Sequence, residues 1–278
     1  MRVLILGSKG QLGRDLEIVF RETSKVVGYD LPEVDIADWE RVRTTVHETK
    51  PDLVVNAAAY TDVEKAEDDP ETAFRVNRDG AGFVATASAK EGIPVVYIST
   101  DYVFGGNKAT PYEPEDPIHP LGVYAKSKAE GEAATREGTE KHFILRTAWL
   151  YGPGGNHFAE KIIRAARSRP ELKVVEDEVG SPTHTLDLAR AVHAIAQTEA
   201  YGTHHTVNAG SCTRYEYAKA ILQLAGLQVP MHPCSSSEFP TKAPRPAYSV
   251  LSTATFEAVT GHKMRHWREA LEDYMRRR

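Results

Sequence analysis

The stretch Val3-Leu4-Ile5-Leu6-Gly7-Ser8-Lys9-Gly10-Gln11-Leu12-Gly13 decides the fold. Its opening apolar run reads as a buried strand, and Gly7 ends it. Gly10 and Gly13 then open a helix. Glycines at these places permit a tight turn, close backbone approach to a pyrophosphate, and close helix–strand packing. The helix N-terminus adds N–H groups and positive dipole that suit phosphates. Glycines alone are weak evidence. The strand–turn–helix setting makes this a dinucleotide-binding signature.

Working outward, Asp30 closes a second apolar run, Lys25–Tyr29. An acid at that place suits adenosine ribose hydroxyls and repels a 2′-phosphate, which leans towards NAD. Lys9 leans the other way if it pairs a 2′-phosphate; otherwise it is a solvated loop lysine. Asp35 and Ile36 are candidates to cap the adenine pocket. Further strands are expected at Asp52–Asn56, Val95–Ile98 and Phe143–Arg146. Helices are expected at Gln11–Arg21, Trp39–Thr49, Pro70–Lys90 and Tyr124–Arg136. Strands that are apolar almost throughout, alternating with helices, predict an α/β fold. It is a Rossmann-type doubly wound parallel sheet with helices on both faces.

Residues 1–150 are expected to form the dinucleotide-binding domain. After Tyr151 the pattern changes, and Gly152-Pro153-Gly154-Gly155 marks a turn. Residues 151–278 read as a smaller C-terminal substrate lobe, with segments returning to the main sheet. Its helices are expected at Phe158–Arg167, Thr185–Gln197, Tyr215–Ala225 and Trp267–Arg276. A loop over 105–120, with Pro111, Pro114, Pro117 and Pro120, is long enough to suggest a functional role.

Composition narrows the class of protein. The chain has 278 residues, 41% of them hydrophobic, and a net charge of -5. That suits a globular protein and gives no polyanion-binding signal, so nucleic acid is not an expected partner. Cys212 and Cys234 are too few for a disulfide framework or a cysteine-based zinc site. The first apolar run is too short for a leader or a membrane span. The expectation is a cytoplasmic enzyme with no membrane partner.

The reacting groups lie mid-chain. Tyr124 and Lys128, four apart on a helix, share one face at about 5–6 Å between Cβ atoms. An ammonium beside a phenol is expected to lower the phenol's pKa and make it a usable proton donor or acceptor. Ser99-Thr100-Asp101 ends a strand. Ligands of open α/β sheets bind beyond the carboxyl ends of the strands, where Gly7, Asp30, Asn56, Thr100 and Thr147 converge. Tyr124 is assigned as general acid toward a ketone oxygen. Thr100 polarises the same carbonyl, and Lys128 holds nicotinamide ribose hydroxyls. Asp101 is expected to orient substrate or loop, or to cap a turn.

Several runs, in order, carry a family resemblance. They are Gly7–Gly13, Asn56-Ala57-Ala58-Ala59-Tyr60-Thr61, Ser99-Thr100-Asp101-Tyr102-Val103-Phe104, Tyr124 through Lys128, Arg146-Thr147-Ala148-Trp149-Leu150-Tyr151, Gly180-Ser181-Pro182-Thr183 and Arg245-Pro246. With these the chain resembles the extended short-chain dehydrogenase/reductase superfamily and, within it, the dTDP-4-dehydrorhamnose reductase family. The resemblance implies NADPH or NADH as cofactor. It implies reduction of the C4 keto group of dTDP-4-dehydro-L-rhamnose to dTDP-L-rhamnose, a step serving cell-surface polysaccharide biosynthesis. Carried over by position, the cofactor contacts are Gly7, Gly10, Gln11, Leu12, Gly13, Asp30, Asp35, Ile36, Ala59, Tyr60, Thr61, Ile98, Tyr124 and Lys128. The substrate contacts are Thr100, Asp101, Trp149, Asn156, Phe158 and Arg245, the last toward the diphosphate. Some members dimerise through a metal held by acidic residues. Those acids are not placed in this sequence, which leaves magnesium, and monomer against homodimer, open.

Rival readings remain at this level. A related dehydratase needs a second carboxylate after Asp101, where Tyr102 stands. An epimerase fits Ser99-Thr100-Asp101 less well. A non-catalytic subunit resembling the regulatory subunit of methionine adenosyltransferase is disfavoured, though not excluded, by the intact Thr100, Tyr124 and Lys128.

Overall fold

A computed structural model describes residues 1–278. Five parallel strands, β1 (Arg2–Leu6), β2 (Lys25–Tyr29), β3 (Leu53–Asn56), β4 (Val95–Thr100) and β5 (His142–Thr147), form most of one sheet. The strand Gly202–His205 pairs in parallel with β5 and completes it. The spatial order is Gly202–His205, β5, β4, β3, β1, β2. Chain order reverses at β1, which puts a topological switch point between β1 and β3.

The side chains explain the layers. Successive residues of a strand face opposite sides. Val3 and Ile5 join Leu12, Leu16 and Phe20 of α1 (Gln11–Arg21) and Leu188 and Val192 of the helix Thr185–Ile195 in one core. Leu4 and Leu6 join Val42 and Val46 of α2 (Trp39–Thr49) and Val84 of the helix Ala81–Lys90 on the other face. A third core, built on Tyr151, Ile163, Tyr217, Ile221, Trp267 and Leu271, lies under the helices Phe158–Ser168, Arg214–Leu224 and Trp267–Arg277. No helix is long and apolar enough to cross a membrane.

The segment read as one helix over Pro70–Lys90 is three pieces. An α-turn covers Pro70–Phe74, a π-helical turn covers Arg75–Gly80, and an α-helix follows from Ala81 to Lys90. The wider turn serves Asn77, which is 1% exposed. Its Oδ1 accepts from the Tyr60 N–H at 2.9 Å, and its Nδ2 donates to the Tyr60 carbonyl and Ser127 Oγ, each at 3.0 Å. The segment after β3 is thereby tied to the helix Val123–Gly138.

Candidate active site

Beyond the carboxyl ends of the strands lies one cavity of about 570 Å³. Its first wall is the glycine turn. Gly7 has φ +82°, and a Cβ there would stand 2.6 Å from the Ala58 backbone nitrogen. A Cβ on Gly13 would run into the Gly7 carbonyl oxygen. The chain therefore needs glycine at both places, and the backbone at Gly10 and Gln11 lies open to the cavity.

Gly7, Gly10, Gln11, Leu12, Gly13, Asp30, Asp35, Ile36, Ala59, Thr61, Ile98, Tyr124 and Lys128 all line this space. So do Thr100, Asp101, Trp149 and Asn156. Tyr60 does not line it; its backbone is held by Asn77. Phe158 lies beside it, its ring stacked on Tyr217 with centroids 5.5 Å apart. Arg245 is also absent from the lining, and its Nη2 donates to Glu64 Oε1 at 2.9 Å. Lys9 Nζ is held by both oxygens of Glu33, at 2.8 and 2.9 Å.

The residues fit a dinucleotide. The glycine cradle has no room for a Cβ, and the buried Gln11 Oε1 and Thr147 Oγ1, on residues facing the cavity, have no partner within the protein. Asp30 closes β2 with both oxygens fixed. Oδ2 accepts from the Lys9 N–H at 2.9 Å and Oδ1 from the Leu31 N–H at 2.8 Å. No group of three or more His, Cys, Asp or Glu side chains is placed to hold a metal ion.

At the reacting end, Thr100 and Asp101 are 6% and 2% exposed. Thr100 Oγ1 donates to Asp101 Oδ1 at 3.1 Å and caps the short turn Asp101–Val103 by accepting from the Tyr102 N–H. Ser249 Oγ donates to Asp101 Oδ2 at 2.6 Å. Burial raises the Asp101 carboxyl to about 6, against the lowering effect of these two hydroxyls. The Tyr124 ring meets the Tyr102 ring edge-on, centroids 6.1 Å apart. An aromatic thus stands where a dehydratase would need its second carboxylate.

The expected charge pairing of Tyr124 and Lys128 is corrected by the structure. The ammonium does not lower the phenol's pKa: burial raises Tyr124 above its ordinary value, opposed by a hydrogen bond with Thr100. Lys128 Nζ instead donates to the Ile98 carbonyl at 2.7 Å and stands 4.0 Å from the centroid of the Tyr97 ring. Burial lowers Lys128 to about 7, opposed by the nearby Glu132. The two groups share a cavity without acting as an ion pair.

Arg214 also lines the cavity and was not legible as a site residue. Its guanidinium lies 3.4 Å from the centroid of the Trp149 ring, and its Nε donates to Glu178 Oε2 at 3.3 Å. It is the first residue of its helix, set there by a capping box. Thr213 Oγ1 accepts from the Glu216 N–H, and Glu216 accepts from the Thr213 N–H. The spacing of Thr213 and Glu216 is the one sequence signal that marks Arg214 as a helix-start cation.

Comparison with known proteins places this geometry. The family model described as RmlD substrate binding domain matches residues 1–278. A spore coat polysaccharide biosynthesis protein, SpsK, of Bacillus subtilis is 41% identical over all of this chain and 98% of its own length. A crystal structure of a dTDP-4-dehydrorhamnose reductase from Clostridium acetobutylicum superposes with a TM-score of 0.97 at 40% identity, covering 99% of each chain. One from Bacillus anthracis, in complex with NADP, gives 0.96 at 38% identity, covering 100% of this chain and 99% of that one.

Proposed function

We propose, from the premise that this chain belongs to the RmlD substrate binding domain family, that it is an NAD(P)H-dependent reductase of the C4 keto group of dTDP-4-dehydro-L-rhamnose, yielding dTDP-L-rhamnose. The observation that carries this reading is the meeting of the glycine turn, Asp30, Thr100, Tyr124, Lys128 and Trp149 around one cavity. When bound, the reduced nicotinamide supplies a hydride to C4 of the sugar.

The protein's own residues do the rest. The backbone at Gly10–Leu12 and the N-terminus of α1 bind the pyrophosphate. Asp30 takes the adenosine ribose. Lys128, on the helix Val123–Gly138 with its Nζ at the Ile98 carbonyl of β4, holds the nicotinamide ribose hydroxyls and orients that half. Tyr124 donates its phenolic proton to O4 as the C4–O4 bond becomes single. Its raised pKa means that the proton is present throughout the neutral range. Thr100 turns its hydroxyl proton from Asp101 Oδ1, which holds it at 3.1 Å without substrate, to O4. Trp149 walls the sugar, Arg214 and Asn156 face the nucleotide diphosphate, and Phe158 supports Arg214 at 5.2 Å from its ring centroid. In this reading residues 1–150 form the dinucleotide-binding domain and also bring Thr100, Tyr124 and Trp149 to the sugar, residues 151–278 form the substrate lobe, and the protein works in the cytoplasm as a monomer or homodimer.

The test is direct. Purified protein is given dTDP-4-dehydro-L-rhamnose with NADH or NADPH, and loss of reduced-nicotinamide absorbance is followed. Sugar-dependent oxidation is expected. Its absence, in protein that binds dinucleotide, overturns the reading.

A further inference from the structure

We propose that Ser249 is a positioning residue for the reaction: from outside the cavity it keeps hold of Asp101 while Thr100 turns its proton to the sugar carbonyl. The inference rests on the reductase reading and deepens it. Asp101 is 2% exposed, and each of its carboxylate oxygens accepts from one hydroxyl. Thr100 Oγ1 donates to Oδ1 at 3.1 Å, and Ser249 Oγ donates to Oδ2 at 2.6 Å. The shorter bond is the one that the reaction does not disturb. Once Thr100 points at O4, Oδ1 has lost its hydroxyl and the Ser249 bond remains. Leaving a buried carboxylate short of donors is costly. Ser249 therefore lowers the cost of the turn that Thr100 makes.

Backbone pairing, rather than the cavity wall, sets where Ser249 stands. It is 1% exposed and does not line the cavity, whereas Thr100 and Asp101 do. Its N–H donates to the Val179 carbonyl at 2.9 Å, and the Val179 N–H donates to the Ala247 carbonyl at 2.8 Å. One residue further, the Val250 carbonyl accepts from the Tyr112 N–H at 2.8 Å. The segment 247–250 is thus pinned by Val179 and Tyr112, and the hydroxyl is held in place. The other charged and titratable groups around Asp101 are Arg214 and the phenols of Tyr102 and Tyr124. Arg214 favours the carboxylate, and burial keeps both phenols protonated through the neutral range.

Turnover of dTDP-4-dehydro-L-rhamnose by Ser249→Ala and by the unaltered protein, from pH 6 to 9, tests this. At pH 9 the variant's kcat is expected to be about 10–100-fold lower, the worth of a hydrogen bond to a charged group. KM and dinucleotide affinity should stay near those of the parent. The deficit is expected to shrink toward pH 6. Asp101 stands at about 6 in the unaltered protein. In the variant it loses a bond that favours its charge, so it takes up its proton at higher pH. A neutral carboxyl carries its own donor for the Thr100 oxygen. Lys128 titrates in both proteins and drops out of the ratio. In an Asp101→Asn background, adding Ser249→Ala is expected to cost at most about five-fold, the worth of a bond between neutral groups. Should Ser249→Ala not fold, Ser249→Cys takes its place; its thiol is a weaker donor, and a smaller deficit that still grows with pH is expected. A deficit that is flat with pH, lies in KM, or is as large in Asp101→Asn overturns the role given to Ser249. No turnover by the unaltered protein overturns the reductase reading, and this inference with it.

Discussion

The guanidinium of Arg214 lies over the Trp149 ring, 3.4 Å from its centroid, in the lining of the cavity that also holds Thr100 and Tyr124. Glu178 holds Nε, and the two Nη groups have no partner within the protein, so they can donate to oxygen acceptors. A nucleotide diphosphate supplies such acceptors. Arg214→Ala is expected to raise KM for the sugar nucleotide about 10–100-fold, the worth of hydrogen bonds to a charged group. The effect on kcat should be smaller. Arg245→Ala, at a residue paired with Glu64 outside the lining, should cost less. Steady-state kinetics on both variants decide the matter, and an equal or larger KM effect at Arg245 reverses the assignment.

Tyr124→Phe removes the proton and leaves the ring against Tyr102. Its kcat is expected to fall by roughly 10²–10⁴, the ordinary contribution of a positioned acid. Dinucleotide affinity should stay near normal in calorimetry. A near-normal kcat removes Tyr124 from the proton-transfer role.

Lys128 gives a pH dependence with a definite sign. Its folded pKa of about 7 lies below its ordinary 10.5 because burial disfavours the ammonium. Between those values the unfolded chain binds more protons than the folded one, so this group makes stability rise with pH. The cost of burying the charge is fully present below about 7 and fades toward 10.5. Lys128→Met removes that cost, so its stability relative to the unaltered protein should be most favourable near pH 6 and decline as pH rises. Urea midpoints of both proteins from pH 6 to 9 test this. A relative stability that is flat or rises with pH contradicts the lowered pKa.

Glu132 and Arg146 form an ion pair with side chains 0% and 3% exposed. Glu132 also accepts from Ser99 Oγ at 2.7 Å, and Arg146 Nη1 donates to the Pro114 carbonyl at 3.0 Å. Breaking one side of a buried pair leaves an uncompensated charge and typically costs about 3–5 kcal/mol. Glu132→Gln is therefore expected to unfold at markedly lower denaturant concentration, with the 105–120 loop more open to protease. A midpoint within experimental error of the parent argues against a buried charge at Arg146.

Much of the fold is legible because its central strands are buried on both faces. The apolar runs of β1 and β3 read as strands without help from tertiary context, and the spacing of apolar residues over Gln11–Arg21 and Trp39–Thr49 reads as helix. The sixth strand, Gly202-Thr203-His204-His205, lacks apolar residues and carries no such signal; pairing with β5 makes it a strand. The π-helical turn at Arg75–Gly80 is equally silent, because its cause is the distant backbone of Tyr60 and the close approach of Gly80 to Ile36. Within the site, the glycine turn and the Thr100, Tyr124 and Lys128 set follow from motifs with fixed spacing. What the spacing cannot give is orientation. Four residues along a helix bring Lys128 beside Tyr124, but the Ile98 carbonyl and the Tyr97 ring decide where the ammonium points. Arg214 is hidden for a related reason, since it reaches the cavity only through the packing of the C-terminal lobe.

The strand Gly202–His205 also bears on synthesis. A growing chain that has left the ribosome only through β5 carries an open sheet edge there, with β5 side chains Phe143, Ile144 and Leu145 that are fully buried in the finished protein. Its α1 also lacks the helix Thr185–Ile195 that packs on it. Bare edges of that kind pair with other chains. The nucleotide-binding half of a nascent chain therefore stays incomplete until residues from the substrate half arrive to cover β5 and α1.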